Sequence, residues 1–477
     1  MDIKEDHVPM KEQDPDERRK NFKEVPLGYS KEEAIEEASR CLQCDPAPCI
    51  TGCPVEINIP KFIRHIREED FQEAIDTIKE TNNLPAVTGR VCPQEEQCQE
   101  KCVMGRKWDP ISIGRLERFA AEWERDQGKE TPKVEASKEG KVAIVGSGPS
   151  GLTAASDLKK LGYDVTVFEQ FHQSGGVLVY GIPEFRLPND IVDGEVEALE
   201  SMGVDIQRNT VVGRLFTVDD LLEGNKVDEY DAVFLGTGAG LPWFLGLPGE
   251  NLNGVYSANE FLTRVNLMKA FKFPEYDTPV KVGKRVATIG GGNVAMDSAR
   301  TALRLGAEKS MIVYRRSEDQ MPARDEEIEH AKQEGIEFHL LRNPRRFIGE
   351  DGNVKKVEVV KMELGEPDSS GRPRPIPIEG SEYVIDADDV IMAIGTSPHP
   401  LVPRTTSGLK TSDRGTINAN GSGRTTKQGV WAGGDIVTGA ATVIKAMGAG
   451  KTAAKDIDEW LTNRGDWRTD LEDDGEK

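Results

Sequence analysis

Short apolar runs alternate with helical patterns through the middle of the chain. The run Val142–Val145 precedes a glycine-rich turn, a helical pattern and a second apolar run, Val165–Phe168. The same succession returns in Arg285–Arg316, and further short strands are predicted at Asp231–Leu235 and Val390–Ile394. A strand, a tight turn, a helix and a second strand form a Rossmann-like unit. The middle of the chain is therefore predicted to be α/β, with two such units.

The pattern ahead of these units is helical. Ser30 and Glu33 have the spacing of a capping box for a helix at 31–40. Apolar residues then recur at helical spacing over 59–78 and again over 113–123. These patterns predict a small helical domain in front of the α/β units.

The turn after the first apolar run has the spacing of a dinucleotide-binding loop. Gly146, Gly148 and Gly151 follow the GxGxxG pattern, and Glu169 ends the second strand at roughly the distance of 20 residues that the fingerprint requires. Such glycines let backbone N–H groups approach a pyrophosphate at a helix N-terminus, and the acid suits a ribose hydroxyl. This unit is predicted to bind FAD.

The second unit differs from the first where the sugar of a dinucleotide would lie. Its turn is Gly290, Gly292 and Ala295, and its second strand ends in Arg315 and Arg316 rather than in an acid. A carboxylate would repel a 2′-phosphate, whereas a guanidinium binds one through charge-assisted hydrogen bonds. The alternative is an ordinary solvated charge pair. We predict an NADPH site, and hence a flavoprotein reductase.

Two similar strand endings flank the NADPH unit, at 236–238 and 395–398. They predict that this unit is inserted into the FAD unit. The glycines of the loop 174–188 allow close backbone approach, so we expect the loop to pack against the flavin. The predicted division is a helical domain at 1–135, an FAD-binding domain in two parts at 136–280 and 388–477, and an NADPH-binding domain at 281–387.

All seven cysteines lie between Cys41 and Cys102, in the helical part. The first run is C-x2-C-x4-C-x3-C-P and the second is C-P-x4-C-x3-C. An odd count in a reducing compartment disfavours disulfides. Zinc sites usually use paired CxxC knuckles, and only Cys41 and Cys44 have that spacing. Iron–sulfur clusters fit best, although two four-iron clusters need eight ligands, one more than the cysteines supply.

Composition narrows the possible partners. The 477 residues include 83 acidic and 61 basic ones, a net charge of −22, which disfavours binding to nucleic acid or to an anionic membrane. No apolar run approaches the roughly 20 residues of a membrane span, and the polar N-terminus lacks a signal-peptide core. We expect a cytoplasmic protein. Residues 1–30 are expected to cross the surface, 124–140 to form a linker and 463–477 to be disordered.

Together these motifs resemble the small (β) subunit of NADPH-dependent glutamate synthase and its relatives. The relatives include the NADPH-binding subunit of ferredoxin–NADP transhydrogenase and the N-terminal half of dihydropyrimidine dehydrogenase. The cysteine layout carries the resemblance, which extends from Cys41 to the helix after Asp435. It implies that NADPH is oxidised at FAD and that electrons pass through two [4Fe–4S] clusters to a partner. That partner is a large glutamate synthase subunit or a ferredoxin-linked subunit.

The resemblance also implies which residues contact the cofactors. The implied flavin contacts are Gly146, Gly148, Gly151, Glu169, Gly176 and Asp435. The implied NADPH contacts are Gly290, Gly292, Asn293, Arg315 and Arg316. The implied ligands of one cluster are Cys41, Cys44, Cys49 and Cys102. The implied ligands of the other are Cys53, Cys92, Cys98 and Glu117.

Glu117 has an ordinary alternative role, because surface glutamates are common and often form ion pairs along a helix. No basic residue stands three or four positions away from it. The related proteins place a glutamate or glutamine ligand in a segment that matches Leu116-Glu117. We therefore expect Glu117 to bind iron rather than to form an ion pair on the helix surface.

Three other functions are alternatives for a chain with these motifs. A flavin disulfide reductase needs cysteines beside the flavin, and the chain has none after Cys102. A non-catalytic scaffold that only holds clusters is disfavoured by the intact glycine turns. An independent enzyme acting on sulfide or polysulfide is compatible with the sequence. Because the cofactors would perform the chemistry, no catalytic side chain is predicted.

Overall fold

The computed structural model describes residues 4–128, 131–368, 371–463, 465–467 and 471. Its first part is a helical unit. The helices are α1 (Pro15–Arg18), α2 (Lys31–Ser39), α3 (Pro48–Thr51), α4 (Ile59–Arg67), α5 (Phe71–Lys79), α6 (Pro85–Val91) and α7 (Ile113–Asp126), with 3-10 turns at Gln94–Glu96 and Val103–Arg106. The predicted capping box begins α2, where Glu33 N–H donates to Ser30 Oγ and Ser30 N–H donates to Glu33 Oε2.

A first α/β unit follows the helical one. Its elements are β1 (Lys141–Val145), α8 (Pro149–Lys160), β2 (Asp164–Phe168), α9 (Val177–Tyr180), α10 (Asn189–Ser201), β3 (Asp205–Gln207), α11 (Val218–Glu223) and β4 (Ala232–Leu235). β1, β2 and β4 are buried along almost their whole length, as expected for a parallel sheet covered on both faces.

The second α/β unit has its own parallel sheet and, within residues 342–386, an antiparallel sheet that is called the antiparallel excursion here. Its elements are β5 (Leu241–Pro242), β6 (Val255–Ser257), α12 (Ala258–Val265), β7 (Arg285–Ile289), α13 (Asn293–Arg304), β8 (Lys309–Tyr314), α14 (Asp325–Gln333), β9 (Glu337–Leu340), β10 (Arg342–Glu350), β11 (Asn353–Pro367), β12 (Pro373–Pro377), β13 (Tyr383–Asp386) and β14 (Asp389–Met392). Further 3-10 turns lie at Ala270–Lys272 and Glu318–Gln320.

The chain then returns to the first unit. The returning elements are β15 (Thr396–Ser397), α15 (Leu401–Thr405), β16 (Val430–Ala432), α16 (Asp435–Thr438) and α17 (Val443–Asn463). The first sheet has the order β16-β4-β1-β2-β3 and the second has the order β6-β14-β7-β8-β9, and all pairs in both are parallel. The predicted α/β fold, with one Rossmann-like unit inserted in the other behind a helical unit, is confirmed.

The chain crosses between the two sheets at a short antiparallel pair. The chain leaves the first unit through β5 and returns to it through β15, and Thr396 of β15 pairs with Pro242 of β5. The predicted boundaries at 280/281 and 388 do not coincide with these crossings. These boundaries place β6 and β14 in the FAD part, but both strands hydrogen-bond within the second sheet, where β14 lies between β6 and β7.

The N-terminal segment runs mostly over the surface, as expected, but a few buried side chains anchor it to the rest of the protein. Arg18 is 1% exposed, and its Nε donates to Glu334 Oε1 on the second unit at 3.1 Å. The backbone N–H of Val25 donates to Phe185 O of the first unit at 2.9 Å. Arg18 and Val25 therefore connect the N-terminal segment to both α/β units.

The helical unit and the first α/β unit share one hydrophobic core. Phe62 and Ile75 of the helical unit belong to the same cluster of buried side chains as Val142 and Leu152 of the first sheet and its helix. The helical unit is therefore packed against the first α/β unit through a continuous hydrophobic core. None of the helices in the described ranges has the length and apolar character needed to cross a membrane. The expectation of a disordered C-terminus falls mostly on residues outside these ranges.

Candidate functional site

The first glycine turn lies between β1 and α8. Gly146 has a φ of +99°, and a Cβ added there would lie 2.7 Å from Gly236 O, so another residue would strain the turn. A Cβ on Gly151 would lie 2.0 Å from Gly146 O, which fixes the close packing of α8 against the strand. Gly148, in contrast, has open space around it. That space is where a pyrophosphate fits at the N-terminus of α8.

Glu169 lies at the end of β2 and is 3% exposed. Its Oε2 accepts hydrogen bonds from Ser147 N–H at 3.0 Å and from Ser147 Oγ at 2.5 Å, while its Oε1 accepts from Phe171 N–H at 2.8 Å. The acid is thus held beside the turn, with acceptor capacity left for a ribose hydroxyl. Ser147 was not singled out from sequence, although it lies between Gly146 and Gly148.

Gly176, Tyr180 and Asp435 lie around the same turn. A Cβ on Gly176 would lie 2.8 Å from Gly148 Cα, so the loop packs against the turn as expected. This loop contains the short helix α9, which the sequence pattern did not predict. Burial raises the pKa of Asp435 to about 6, and burial, Asp435 and Glu169 together raise the pKa of Tyr180 to about 12. The side chains of Tyr180, Asp435 and Glu169 therefore lie near one another in a poorly solvated space.

The second glycine turn repeats this geometry between β7 and α13. Gly290 has a φ of +146°, and a Cβ there would lie 2.2 Å from Ala393 O. Gly292 is open, with Pro322 at 3.7 Å as the nearest neighbour of an added Cβ. Asn293 begins α13, and its Oδ1 accepts a hydrogen bond from Arg324 N–H at 3.0 Å.

The two arginines after β8 have different surroundings. Arg315 is exposed and has no hydrogen bond or ion pair with the part of the chain that the structure describes. Arg316 is 3% exposed, and its Nε donates to Pro373 O at 2.8 Å while its Nη2 pairs with Asp368 Oδ2 at 2.7 Å. Arg315 is therefore free to bind a phosphate, whereas Arg316 is already engaged by the antiparallel excursion.

One set of cysteines lines a single half-buried pocket. These residues, called the outer group here, are Cys41, Cys44, Cys49 and Cys102. The walls include Ile59, Ile63 and Met104. Burial, followed by the neighbouring thiols of Cys102 and Cys41, raises the pKa of Cys49 to about 12. Four thiols that converge in an apolar pocket are a donor set that suits an iron–sulfur cluster.

The other set is more deeply buried and includes a carboxylate. These residues, called the inner group here, are Cys53, Cys92, Cys98 and Glu117, all at most 9% exposed. Burial raises the pKa of each of the three thiols, and the nearby Glu117 raises all three further. The Cys49 thiol also acts on Cys98, so the two groups are neighbours. Each predicted ligand set thus comes together in space.

Glu117 projects from α7 into the interior rather than toward solvent. Its Oε1 accepts hydrogen bonds from Asn82 Nδ2 at 2.7 Å and from Thr88 Oγ1 at 2.5 Å. Its Oε2 makes no hydrogen bond, and the carboxylate has no basic partner, within the described ranges. Burial raises the pKa of Glu117 to about 7. Asn82 and Thr88 hold one oxygen and leave the other available to a metal ion among the thiols.

The inner group lies against the first α/β unit. A Cβ on Gly448 of α17 would lie 3.0 Å from the carbonyl oxygen of Pro54, the residue after Cys53. Gln97, the residue before Cys98, donates from Nε2 to Thr442 Oγ1 at 3.4 Å. The start of α17 and the residue before it therefore contact the chain next to two cysteines of the inner group.

Several residues in these sites left no signal in the sequence. Asn82 and Thr88 contact Glu117 across 35 and 29 positions of chain. Asp368 reaches Arg316 across 52 positions. No local spacing reports such contacts, because they depend on how separate elements pack.

Two family models match the chain. One is described as dihydropyrimidine dehydrogenase domain II, 4Fe-4S cluster, and matches residues 18–129. The other is described as pyridine nucleotide-disulphide oxidoreductase and matches residues 140–450. The division between the two models falls at the junction of the helical unit and the first α/β unit.

Similar curated proteins span most of the chain. A glutamate synthase (NADPH) small chain from Halomonas elongata is 37% identical over 465 residues, which are 94% of this chain and 96% of that one. The corresponding chain of Escherichia coli is 36% identical over 453 residues, or 93% and 95%. The β subunit of an NADP(+)-dependent formate dehydrogenase from Moorella thermoacetica is 39% identical over 442 residues. That match covers 87% of this chain but only 60% of the Moorella subunit.

Solved structures support the α/β fold. Mycobacterium tuberculosis FprA in complex with NADPH has a TM-score of 0.56 and 23% identity, over 68% of this chain and 85% of that one. Thioredoxin reductase of Lactococcus lactis has a TM-score of 0.50 and 20% identity, over 68% and 99%. At these identities the likeness concerns the arrangement of the two α/β units.

Proposed function

Since the chain belongs to the family of NADPH-dependent FAD/iron–sulfur oxidoreductases that includes the glutamate synthase small chains, we propose that it is the small subunit of a glutamate synthase. In this role it takes electrons from NADPH and delivers them to a large subunit that makes L-glutamate from glutamine and 2-oxoglutarate. The observation that carries the proposal is the position of the inner group, between the start of α17 and the half-exposed outer group.

The two glycine turns have separate tasks in this proposal. The turn from Gly146 to Gly151 holds the pyrophosphate of FAD, and the Glu169 carboxylate accepts a hydrogen bond from a ribose hydroxyl of FAD. The turn at Gly290 and Gly292 holds NADPH, with Asn293 at the helix start and Arg315 on the 2′-phosphate. When bound, NADPH would supply a hydride and FAD would accept it and pass its electrons on singly, so the protein's own side chains bind the cofactors, orient them and exclude water.

The cysteine groups then form the route out of the protein. The inner group holds one [4Fe–4S] cluster through three thiolates and the free oxygen of Glu117, and the outer group holds a second through four thiolates. The inner group is buried beside α17 and therefore receives electrons first. The outer thiols are half-buried, so the surface around them is where a partner subunit takes the electrons.

Two measurements on the purified chain and its partner test this function. Anaerobic dye reduction by NADPH with the chain alone is expected, whereas a non-catalytic scaffold would give none. Addition of a large glutamate synthase subunit should produce NADPH oxidation that depends on both glutamine and 2-oxoglutarate. Glu117→Ala should keep dye reduction and lose the glutamate-forming activity. If the wild-type chain reduces dye but never supports glutamate formation with any large subunit, the glutamate synthase assignment is wrong.

A second candidate is favoured by the similarity to the Moorella subunit. At 39% identity, that formate dehydrogenase subunit shows that closely related chains work with partners other than a large glutamate synthase subunit. In this alternative the same route delivers electrons to, or receives them from, a ferredoxin-linked or dehydrogenase subunit. An anaerobic pull-down separates the two: an amidotransferase-like chain supports glutamate synthase, and a small flavin–iron–sulfur subunit supports a ferredoxin–NADP transhydrogenase.

A further inference from the structure

Arg324 joins the second α/β unit to the helical unit. It precedes α14, and its backbone N–H is the donor to Asn293 at the start of α13. Its guanidinium extends into the helical unit, where Nη1 donates to Arg90 O at 3.2 Å and Nη2 donates to Gln94 Oε1 at 3.1 Å. These acceptors stand two residues before and two residues after Cys92. The side chain thus places a permanent positive charge beside one thiol of the inner group.

The carboxylates that pair with Arg324 lie on its solvent side. Its Nε is 3.1 Å from Glu95 Oε1 and its Nη2 is 3.2 Å from Glu326 Oε2. Those two side chains are 28% and 24% exposed, against 9% for Arg324. Water therefore screens the negative charges more strongly than the guanidinium. Burial and Glu117 raise the pKa of Cys92, and Arg324 opposes that rise.

A chain of hydrogen bonds also connects Arg324 with Glu117. Gln94, which accepts from Arg324, donates from Nε2 to Thr88 O at 3.3 Å. Thr88 Oγ1 donates in turn to Glu117 Oε1. A Cβ on Gly114 would lie 2.1 Å from Gln94 Nε2, so the glutamine is packed tightly in this position. The Arg324 guanidinium therefore lies beside Cys92 and is linked to Glu117 through Gln94 and Thr88.

We propose that Arg324 tunes the reduction potential of the cluster held by the inner group. The proposal rests on the iron–sulfur function proposed above. A cluster becomes more negative when it accepts an electron, so a buried positive charge beside it stabilises the reduced form and raises the potential. Arg324 acts as a positioning residue that the nucleotide-binding unit contributes to the electron route, without itself touching the iron.

The test is an anaerobic redox titration of the holoprotein, followed by EPR. The signal that Glu117→Ala abolishes identifies the inner cluster. Arg324→Gln removes the positive charge and should lower the potential of that signal, with a change in the reduction equilibrium on the order of tenfold, or about 59 mV for one electron. Glu95→Gln is the matched control: it disturbs the same contact but removes a negative charge, and should raise the potential. Arg324→Lys keeps the charge and should stay close to the wild type.

Opposite shifts in Arg324→Gln and Glu95→Gln support the proposal, because a loosened contact between units would move both in the same direction. Shifts of the same sign, no shift in Arg324→Gln, or an equal shift in Arg324→Lys overturn it. If Arg324→Gln does not retain its cluster, the other two variants still test the proposal. A raised potential in Glu95→Gln with a near wild-type potential in Arg324→Lys supports it, and any other combination overturns it. Iron and sulfide analysis of the wild type is made first. If the wild type contained no iron and no acid-labile sulfide, the iron–sulfur function itself would be refuted, and not this inference alone.

Discussion

Arg315 should carry most of the preference for NADPH over NADH. It is exposed and has no partner in the described ranges, whereas the neighbouring Arg316 is buried against Asp368 and Pro373. A 2′-phosphate that reaches Arg316 must compete with an ion pair already made. Arg315→Gln therefore removes the free counter-charge, and Arg316→Gln mainly weakens the contact with the antiparallel excursion.

The size of the effect follows from the bonds that Arg315 can make. A hydrogen bond to a charged group contributes about 1.5–3 kcal/mol. At about 1.4 kcal/mol per factor of ten, one lost bond lowers kcat/KM for NADPH by roughly tenfold to 150-fold. NADH has no 2′-phosphate, so its kcat/KM should change little. The loss should shrink at higher ionic strength, since the site is open to solvent.

The assay is anaerobic dye reduction, with kcat/KM for NADPH and for NADH measured on the same preparation. Arg414→Gln is the control, because Arg414 is an exposed arginine in the first α/β unit and its loss changes the net charge equally. The NADPH/NADH ratio should fall in Arg315→Gln and remain unchanged in Arg414→Gln. An unchanged ratio in Arg315→Gln, with a large fall in Arg316→Gln, would refute the reasoning and assign the phosphate to Arg316.

Three further outcomes are expected. Asp368→Asn should raise the NADPH/NADH ratio by releasing Arg316 toward the phosphate, and an unchanged ratio would show that Arg316 takes no part. The holoprotein should contain about eight irons per chain, Glu117→Ala should lose about half of them, and Glu117→Cys should keep them; stoichiometric zinc without acid-labile sulfide would contradict this. Burial raises the pKa of Glu195 from 4.5 to about 7, so the folded protein keeps a proton that the unfolded chain releases, and stability falls as pH rises through this window. Glu195→Gln should therefore raise Tm at pH 8 more than at pH 5, and an equal change at both would count against the shift.

The parts of the fold that depend on local pattern could be predicted, and the parts that depend on pairing between distant strands could not. The turns at Gly146 and Gly290 and the capping box at Ser30 are set by residues close together in the chain. The position of β14 in the second sheet is decided by its pairing with β6 and β7, far away in sequence. The burial of Arg18 likewise depends on Glu334, which lies 316 residues further on.

The candidate sites divide in the same way. The resemblance carried by the cysteine layout implies both ligand sets, and it also implies Glu117, whose lack of basic neighbours on the helix agrees with that expectation. Sequence could not separate Arg315 from Arg316, because the difference lies in Asp368 and Pro373 of the excursion. A strand that ends in two arginines shows that positive charge is present there, but only packing shows which arginine is free.

The buried carboxylates give an independent reason to place cofactors where the sequence does. Within the described ranges, those with a basic partner are Glu37, Asp220, Asp297, Glu327 and Glu334. Glu117, Glu169 and Asp389 accept hydrogen bonds from uncharged groups alone. Burying a carboxylate without a counter-charge is costly. Asp389 and Glu117 avoid part of this cost, because burial raises their pKa values to about 6 and about 7. Glu117 and Glu169 also stand where cofactors are expected: a metal ion would supply a counter-charge to Glu117, and a ribose hydroxyl would donate a hydrogen bond to Glu169.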